Sequence, residues 1–474
     1  MAKHIIGRVD EIAILKERFL SDSSEFIAVT GRRRVGKTFL INAYFEDEMS
    51  FHFSGVLNAP IQQQLQNFHY QMGNYFKNPT DQAPPTNWFD AFFSLSKRLS
   101  KIRKKEKKIV FIDEVPWLDT HKSNFLSALE WFWNVWAIDN NVLLIICGSA
   151  TSWMINKVVN NKGGLHNRLT QRLHLLPFTL KETVEFLRFR NIRLSTHQIA
   201  QLYMTFGGIP HYLNEIKTGE SALQSIERIC FSKNGLLVNE FDNLYRALFK
   251  NSELHLKVVF ALSNKSRGLT RKELLVACEL SDGGAFTTIL EELLWCNFIT
   301  ASVGFGKNKK DSLYRLTDEY SLFYLNFMHK KTFVNWTQLA SSQKWKSWTG
   351  YAFENICFKH ISEIKKLLGI EGVFTQIFSF RSKGNQEDSG SQIDLIIDRN
   401  DGIINLCEIK FHDAIYSLSK EEAKNIQRKM AVFKADTKTR KTIFPTLITA
   451  FDAVNNENYL GLIQQAISLE NIIK

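Results

Sequence analysis

Residues 26–45, FIAVTGRRRVGKTFLINAYF, limit the fold of this chain more than any other stretch. A β-branched strand runs into a glycine loop and then into a helix, and Gly31, Gly36, Lys37 and Thr38 complete G-x-x-x-x-G-K-[ST]. From typical residue frequencies a chance match in a chain of this length is about a 2% event, before the flanking strand and helix are counted. A turn with a purely structural purpose would need neither the lysine nor the threonine. The pattern predicts a phosphate loop at the end of a buried parallel strand, and hence an α/β sheet. Residues Gly31, Arg32, Arg33, Arg34, Val35, Gly36, Lys37, Thr38 and Phe39 form the cradle. Loop N–H groups and the helix N-terminus bind phosphate oxygens, Lys37 reaches the β- and γ-phosphates of ATP, and Thr38 ligates Mg2+.

Such a loop needs a second, acidic strand. KKIVFIDEVPWL supplies it, with apolar Ile109 to Ile112 followed by Asp113 and Glu114. Asp113 is the expected Mg2+ ligand and Glu114 the catalytic group that polarises the attacking water. The next buried strand, in NVLLIICGSATSW, ends in Ser149, which fits a γ-phosphate contact or a simple strand-end turn. The lysine run KIRKKEKK upstream of Asp113 reads as a solvated helix end rather than a nucleic-acid patch.

At 474 residues the chain is too long for one core, so about three to four domains are expected. Its 44% hydrophobic and 23% charged content is that of a soluble globular protein, and no solenoid repeat or low-complexity tract is present. A formal charge of +12 favours polyanionic partners, thinly spread over this length. Cys147, Cys230, Cys278, Cys296, Cys357 and Cys407 lie far apart inside apolar runs, without zinc spacing, which suits buried thiols in a reducing cytosol. The N-terminus has no signal-peptide h-region and VLLIIC is too short to span a bilayer, so a cytoplasmic protein with no membrane partner is expected.

IIGRVDEIAILKERF, TGRRRVGKT, FIDEVPW, GSATSW, RLHLLPFTLKE and GGIPHYL occur in this order. Together they resemble the archaeal-type ATPases of the STAND class of P-loop NTPases, over roughly residues 4 to 330 and beyond. By that resemblance Gly7 and Arg8 belong to a nucleotide-base contact, Gly208 and Pro210 to a lid motif over the adenine, and Arg168 to γ-phosphate sensing. HNRLTQR stands where the family usually has a glycine-arginine pair, which leaves Arg168 against Arg172 open. A basic helix face is the structural alternative for both.

After a helical lid, LTRKELLVACELSDGGAFTTILEELLWCNFITASVGFGKNKKDSLYRLTD follows a winged-helix grammar. Thr270 caps one helix, Gly283 and Gly284 mark a turn, and Ala285 to Trp295 form a helix burying Ile289, Leu290, Leu293 and Leu294. Two strand-like runs then flank a wing tipped by Lys307, Lys309 and Lys310. Such a module docks on DNA or, as in STAND ATPases, packs and signals internally. Residues from about Phe333 to Ser347 read as a linker.

The C-terminal region begins with a helix in WTGYAFENICFKHISEIKKLLGI, with Phe353, Ile356, Cys357, His360 and Ile361 on one face and Glu354 beside it. Three strand candidates follow, the last two in DLIIDRNDGIINLCEIK. An Asp…Glu-x-Lys pattern is expected about once by chance in such a chain, so context must decide. The turn signal DRNDG has its midpoint at Asp401, and folding there sets Asp394 opposite Glu408 and Gln392 opposite Lys410. Opposed carboxylates in a sheet require a cation or a shared proton. Glu354, Asp394, Glu408, Ile409 and Lys410 resemble the constellation of PD-(D/E)XK nucleases, a domain that archaeal-type STAND ATPases also carry. The resemblance implies that Asp394, Glu408 and the Ile409 carbonyl ligate Mg2+ or Mn2+, that Lys410 orients the attacking water, and that Glu354 assists. Ile393 replaces the proline of the family name. His360 and His412 read as core residues rather than ligands.

The expected architecture is therefore a P-loop NTPase core (residues 1–174), a helical lid (175–250), a winged helix (251–332) and an α/β nuclease-like domain (333–474). The expected activity is ATP hydrolysis coupled to Mg2+-dependent cleavage of nucleic acid, with DNA the expected partner and a second copy of the chain or another protein left open. The alternatives are an ATP-gated regulator that binds DNA without cutting it, and a signalling ATPase with a protein partner.

Overall fold

The computed structural model describes residues 4–76, 83–149, 153–159, 168–263, 265, 268–306, 311–329, 336–382 and 390–473. They form two compact units, residues 1–177 with 243–252, and residues 178–242 with 253–474.

The first unit is built on the parallel strands β1 (Glu25–Thr30), β2 (Met49–Ser54), β3 (Lys108–Asp113), β4 (Val142–Cys147) and β5 (Gln171–His174), in the order β2-β3-β4-β1-β5. β1, β3 and β4 are buried at every position, as apolar runs covered on both faces must be. Because they are parallel neighbours, the segments leaving Thr30, Asp113 and Cys147 emerge at the same edge. Phe26, Phe53, Phe68, Trp88, Phe92 and Phe125 fill the core on one side of the sheet. The lysine run differs from the sequence expectation. The helix Trp88–Leu99 ends before it, and Lys108 lies inside β3, only 2% exposed. Its ammonium donates to the carbonyls of Asn140 (3.0 Å), Glu106 (3.3 Å) and Arg103 (3.4 Å), and Lys107 donates to those of Ser21 and Ser23. Those carbonyls explain why lysines tolerate the strand start; burial lowers the pKa of both.

In the second unit the helices Leu180–Phe189 and Thr196–Phe206 lead to a small sheet of β6 (Leu269–Thr270), β7 (Ile299–Ser302) and β8 (Leu313–Leu316), ordered β6-β8-β7. Thr270 and Glu273 form a reciprocal capping box on the helix Arg271–Cys278. The helix Gly284–Trp295 buries Ile289, Leu290 and Leu293, while Leu294 stays half-buried. It also buries Glu292, whose carboxylate meets His255 Nε2 at 2.7 Å. Lys307, Lys309 and Lys310 lie outside the described residues.

The stretch read as a linker holds a helix at Trp336–Ala340 and the start of another, Gln343–Lys359, capped by Ser342. Trp336, Trp345 and Trp348 pack with Phe323 and Phe327, so the loosened pattern marks an aromatic core and not a tether. The helix expected over 348–370 is broken in two at His360, before Ile361–Leu367. His360 Nδ1 donates to Ile356 O (2.8 Å) and its Nε2 accepts the Leu180 N–H (2.9 Å), a neutral core histidine.

The last sheet, ordered β13-β12-β11-β10-β9, comprises β9 (Thr375–Ser382), β10 (Ser391–Arg399), β11 (Ile403–Lys410), β12 (Thr442–Thr449) and β13 (Gln465–Ser468). β9, β10 and β11 are antiparallel; β11, β12 and β13 are parallel, so the helix Lys420–Thr437 provides the crossover that a parallel β11–β12 pair requires. β10 pairs with β11 about Asp401: Leu395 faces Cys407, Ile396 faces Leu406 and Asp398 faces Ile404. Ile396, Ile404 and Leu406 pack with Phe380, Ile393 and Phe433, the last from the crossover helix.

Candidate nucleotide and carboxylate sites

The nucleotide site follows from backbone geometry. Gly31 has φ +135°, and a Cβ there would lie 2.3 Å from Leu175 O; Gly36 has φ +93° and precedes the helix Lys37–Tyr44. Lys37 is buried, its ammonium donating to Gly31 O (2.8 Å) and Arg32 O (3.0 Å), which closes the loop into a ring. The Thr38 hydroxyl donates to Asp113 Oδ2 at 2.6 Å, and Asp113 Oδ1 accepts the Glu114 N–H at 2.8 Å. Glu114 accepts in turn from Ser149, at 3.0 Å from Oγ and 3.4 Å from the amide. Residues from the ends of β1, β3 and β4 thus form one chain of hydrogen bonds: Thr38, Asp113, Glu114, Ser149. Hydroxyl and carboxylate oxygens suit Mg2+.

Arg8 is 5% exposed; its guanidinium donates to Val35 O (3.1 Å) and meets Glu11 (3.3 Å), so it braces the loop from outside. Arg8, Arg34 and Glu114 all adopt left-handed backbone, at φ +58°, +73° and +49°. Such strain in non-glycine residues concentrates at functional sites. Arg32 and Val35 are buried, and Arg33 and Phe39 exposed. Gly7 has φ +63°. Arg168 lies in an exposed turn before β5 and Arg172 on that edge strand, so neither belongs to a helix face. In the second unit, a Cβ on Gly208 would fall 1.8 Å from Phe178 O, and Pro210 opens the short helix Pro210–Leu213.

The carboxylate site lies within the second unit. Pairing of β10 with β9 shifts between Ile393 and Ile396, which inserts a bulge at Asp394–Leu395, and the β10–β11 ladder begins at Leu395. The register about Asp401 therefore stops one pair short of Asp394 and Glu408, and the bulge re-aims Asp394 in a way that strict alternation does not foresee. Asp394 accepts from Gln392 Nε2 at 2.6 Å. Glu408 meets Lys410 at 3.2 Å and Lys429 at 2.7 Å, and Lys410 also lies 3.8 Å from Glu422. Glu354, on the helix Gln343–Lys359, has its carboxyl pushed up to about 8, first by burial and then by Asp394, with Glu408 adding and Arg315 and Lys429 opposing. Glu354, Asp394 and Glu408 thus share one electrostatic neighbourhood. Among the described residues no group of three or more His, Cys, Asp and Glu side chains is arranged to hold a metal. The donors on offer are two carboxylates and the Ile409 carbonyl, hard oxygens of the kind Mg2+ and Mn2+ take. His412 is exposed, its ring 5.2 Å from that of Tyr416.

Lys429 escaped the sequence reading. It falls on the crossover helix three residues after Ile426 and four before Phe433, both buried, and a lysine at helical spacing on an apolar stripe is the signal that would have found it.

Residues 6–216 match a family model described as an ATPase domain predominantly from Archaea. An uncharacterized protein of Methanocaldococcus jannaschii is 24% identical over 432 residues, 89% of this chain and 90% of that one. The Walker-type ATPase of Pyrococcus abyssi aligns at TM-score 0.50 with 16% identity, over 68% of this chain and 96% of its own. The Aeropyrum pernix ORC2 protein in its ADPNP–ADP complexes aligns at TM-score 0.44 with 15% identity, over 70% and 96%. Among the described residues no helix is long and apolar enough to cross a membrane. The parallel sheet of the first unit has the α/β fold of P-loop ATPases, and residues 6–216 are similar in sequence to archaeal ATPase domains, which supports ATP as the nucleotide and its hydrolysis as the chemistry.

Proposed function

We propose that this chain is an ATP-driven switch of the STAND type whose C-terminal domain cleaves nucleic acid, DNA first, with a divalent cation. In the ATPase half, Lys37 holds the transferred phosphate, Thr38 and Asp113 hold Mg2+, and Glu114, oriented by Ser149, polarises the attacking water. Arg8 borders the base, Pro210 belongs to the lid motif and Arg168 senses the γ-phosphate in this reading. The domain limits at 174, 250 and 332 belong to it as well.

The nuclease half rests on one observation: Glu354, Asp394 and Glu408 share one electrostatic neighbourhood, in which burial and Asp394 push the Glu354 carboxyl up to about 8. Two carboxyl groups on a half-buried sheet, with a third brought to them by a helix, are an arrangement that stability alone disfavours and that phosphodiester hydrolysis uses. Mg2+ or Mn2+ on Asp394, Glu408 and the Ile409 carbonyl would supply Lewis acidity, Lys410 would orient the water, and Glu354 has a proton to give.

A non-cleaving regulator is the second reading, favoured by the pairing of Glu408 with both Lys410 and Lys429. Phe305, at the base of the wing, packs on Phe378 and Phe433, and its amide donates to Ser379 O (3.1 Å), which supports an internal packing role for the winged module in either case.

Full-length wild type, Lys37→Ala, Asp394→Ala and Lys410→Ala should be incubated with plasmid and Mg2+, with and without ATP. Lys37→Ala should lose ATP hydrolysis by about a hundredfold or more and lose ATP control of cleavage. Lys410→Ala and Asp394→Ala should lose cleavage and keep ATP hydrolysis. Cleavage unchanged in Lys410→Ala sinks the proposed site; absence of wild-type cleavage on DNA and RNA, with binding retained, selects the regulator.

A further inference from the structure

We infer that Lys429 is the resident counter-ion of the carboxylate site, holding Glu408 while no divalent cation is bound and yielding it when one enters. This rests on the metal-dependent reading above. The two oxygens of Glu408 have different partners: Lys410 approaches Oε1 at 3.2 Å, and Lys429 approaches Oε2 at the shorter 2.7 Å. Lys410 comes from the same strand two residues on, so it travels with Glu408 whatever the site does. Lys429 arrives from the crossover helix Lys420–Thr437, and nothing local forces the contact.

The side chains of Lys429 and Glu408 are only 15% and 11% exposed. An ammonium at that depth needs a charge partner, and Lys429 has been placed on the stripe that also buries Ile426 and Phe433. Counting formal charges, Asp394, Glu408 and Glu422 contribute three negative groups and Lys410, Lys429 and Arg315 three positive ones, while the Glu354 carboxyl is pushed up to about 8. The site is neutral as it stands. A dication entering it competes for Glu408 Oε2 with an ammonium already there and is repelled by that same charge. Lysine's flexible four-carbon stem lets the group swing away without moving the helix. Once released, the ammonium remains within a side-chain length of the site, where a phosphodiester oxygen is its natural partner.

This makes Lys429 a positioning residue with an opposite signature for metal and for substrate. A residue that merely fastened the helix would, when neutralised, loosen the site and weaken metal binding. The counter-ion would, when neutralised, strengthen it. The test is titration of the nucleotide-free full-length protein with Mn2+, following the loss of free Mn2+ by electron paramagnetic resonance. Lys429→Met should bind Mn2+ about tenfold more tightly than wild type, Lys429→Arg should match wild type, and Asp394→Asn should lose the site. Lys429→Gln is a second uncharged variant should the methionine protein fail to fold. Equal or weaker Mn2+ binding in the folded, uncharged variants, with Asp394→Asn still abolishing it, overturns the inference and leaves the metal site standing. Wild-type binding no greater than that of Asp394→Asn removes the metal-dependent reading itself, and Lys429's role with it.

Discussion

In the nucleotide site, nine consecutive residues supply most of the groups and the backbone does most of the positioning. Gly31 and Gly36 take conformations that side chains resist, and Lys37 caps carbonyls of its own loop. In the carboxylate site, Glu354, Asp394, Glu408 and Lys429 come from a helix, two strands and a second helix, and charge holds them. The first site is therefore rigid in a steric sense and fails when an atom is added. The second is a balance of charges and fails when a proton or a cation is gained or lost.

The largest effect expected from this contrast is at Gly31. Alanine there combines φ +135° with a Cβ 2.3 Å from Leu175 O, and that carbonyl cannot retreat, because Leu175 N is bound to Thr30 O at 2.8 Å. Gly31→Ala should destabilise the first unit by about 3 kcal/mol or more and abolish ATP binding, as read by urea unfolding and by nucleotide titration. A variant with unchanged unfolding midpoint and nucleotide affinity would mean that the loop is not sterically fixed.

What could be read in advance tracks the same contrast. The order strand, loop, helix and the buried strand that ends in Asp113 were legible, because each is written in one contiguous run of residues. The hairpin register about Asp401 was legible for the same reason. The bulge at Asp394 was not, because it depends on how β9 pairs with β10 across a gap of sequence. Lys429 was missed because its partner lies 21 positions away. The left-handed backbone at Arg8, Arg34 and Glu114 leaves no compositional trace, since arginine and glutamate are not turn formers. Trp336 and Trp345 misled in the other direction, as large apolar residues without a clear period were read as a linker although they pack with Phe323 and Phe327.

A smaller effect for each pH unit, confined to the charge-held site, is a dependence of stability on pH through Glu354. Its carboxyl is raised from the ordinary 4.5 to about 8, so between those values the unfolded chain is ionised while the folded one keeps its proton. The folded state then binds more protons, and stability falls as pH rises, by at most about 1.4 kcal/mol per pH unit. The contribution is fully present below the unfolded value and gone above the folded one. Glu354→Gln should flatten this slope: wild type and variant differ least near pH 5, and the variant gains steadily up to pH 8.5. Urea unfolding at pH 5, 6.5 and 8.5 measures it. Parallel curves would show that the carboxyl is ionised in the folded protein, and the three-carboxyl neighbourhood would lose its main support.

The smallest expected effect tests whether steric control is special to the phosphate loop or general to the glycines of this chain. Gly402 ends the turn of the β10–β11 hairpin at φ +83°, and a Cβ there would meet nothing within 4 Å. Its carbonyl accepts the Thr442 N–H at 3.0 Å, a bond that alanine keeps. Only the intrinsic left-handed penalty is left, about 1 kcal/mol. Gly402→Ala should therefore lose about that much stability, less than half the loss at Gly31, with ATP hydrolysis unchanged. A loss as large as at Gly31 would mean that the turn, and not the charges of Glu408, Lys410 and Lys429, sets the geometry of the carboxylate site, and the contrast between the two sites would collapse into one rule.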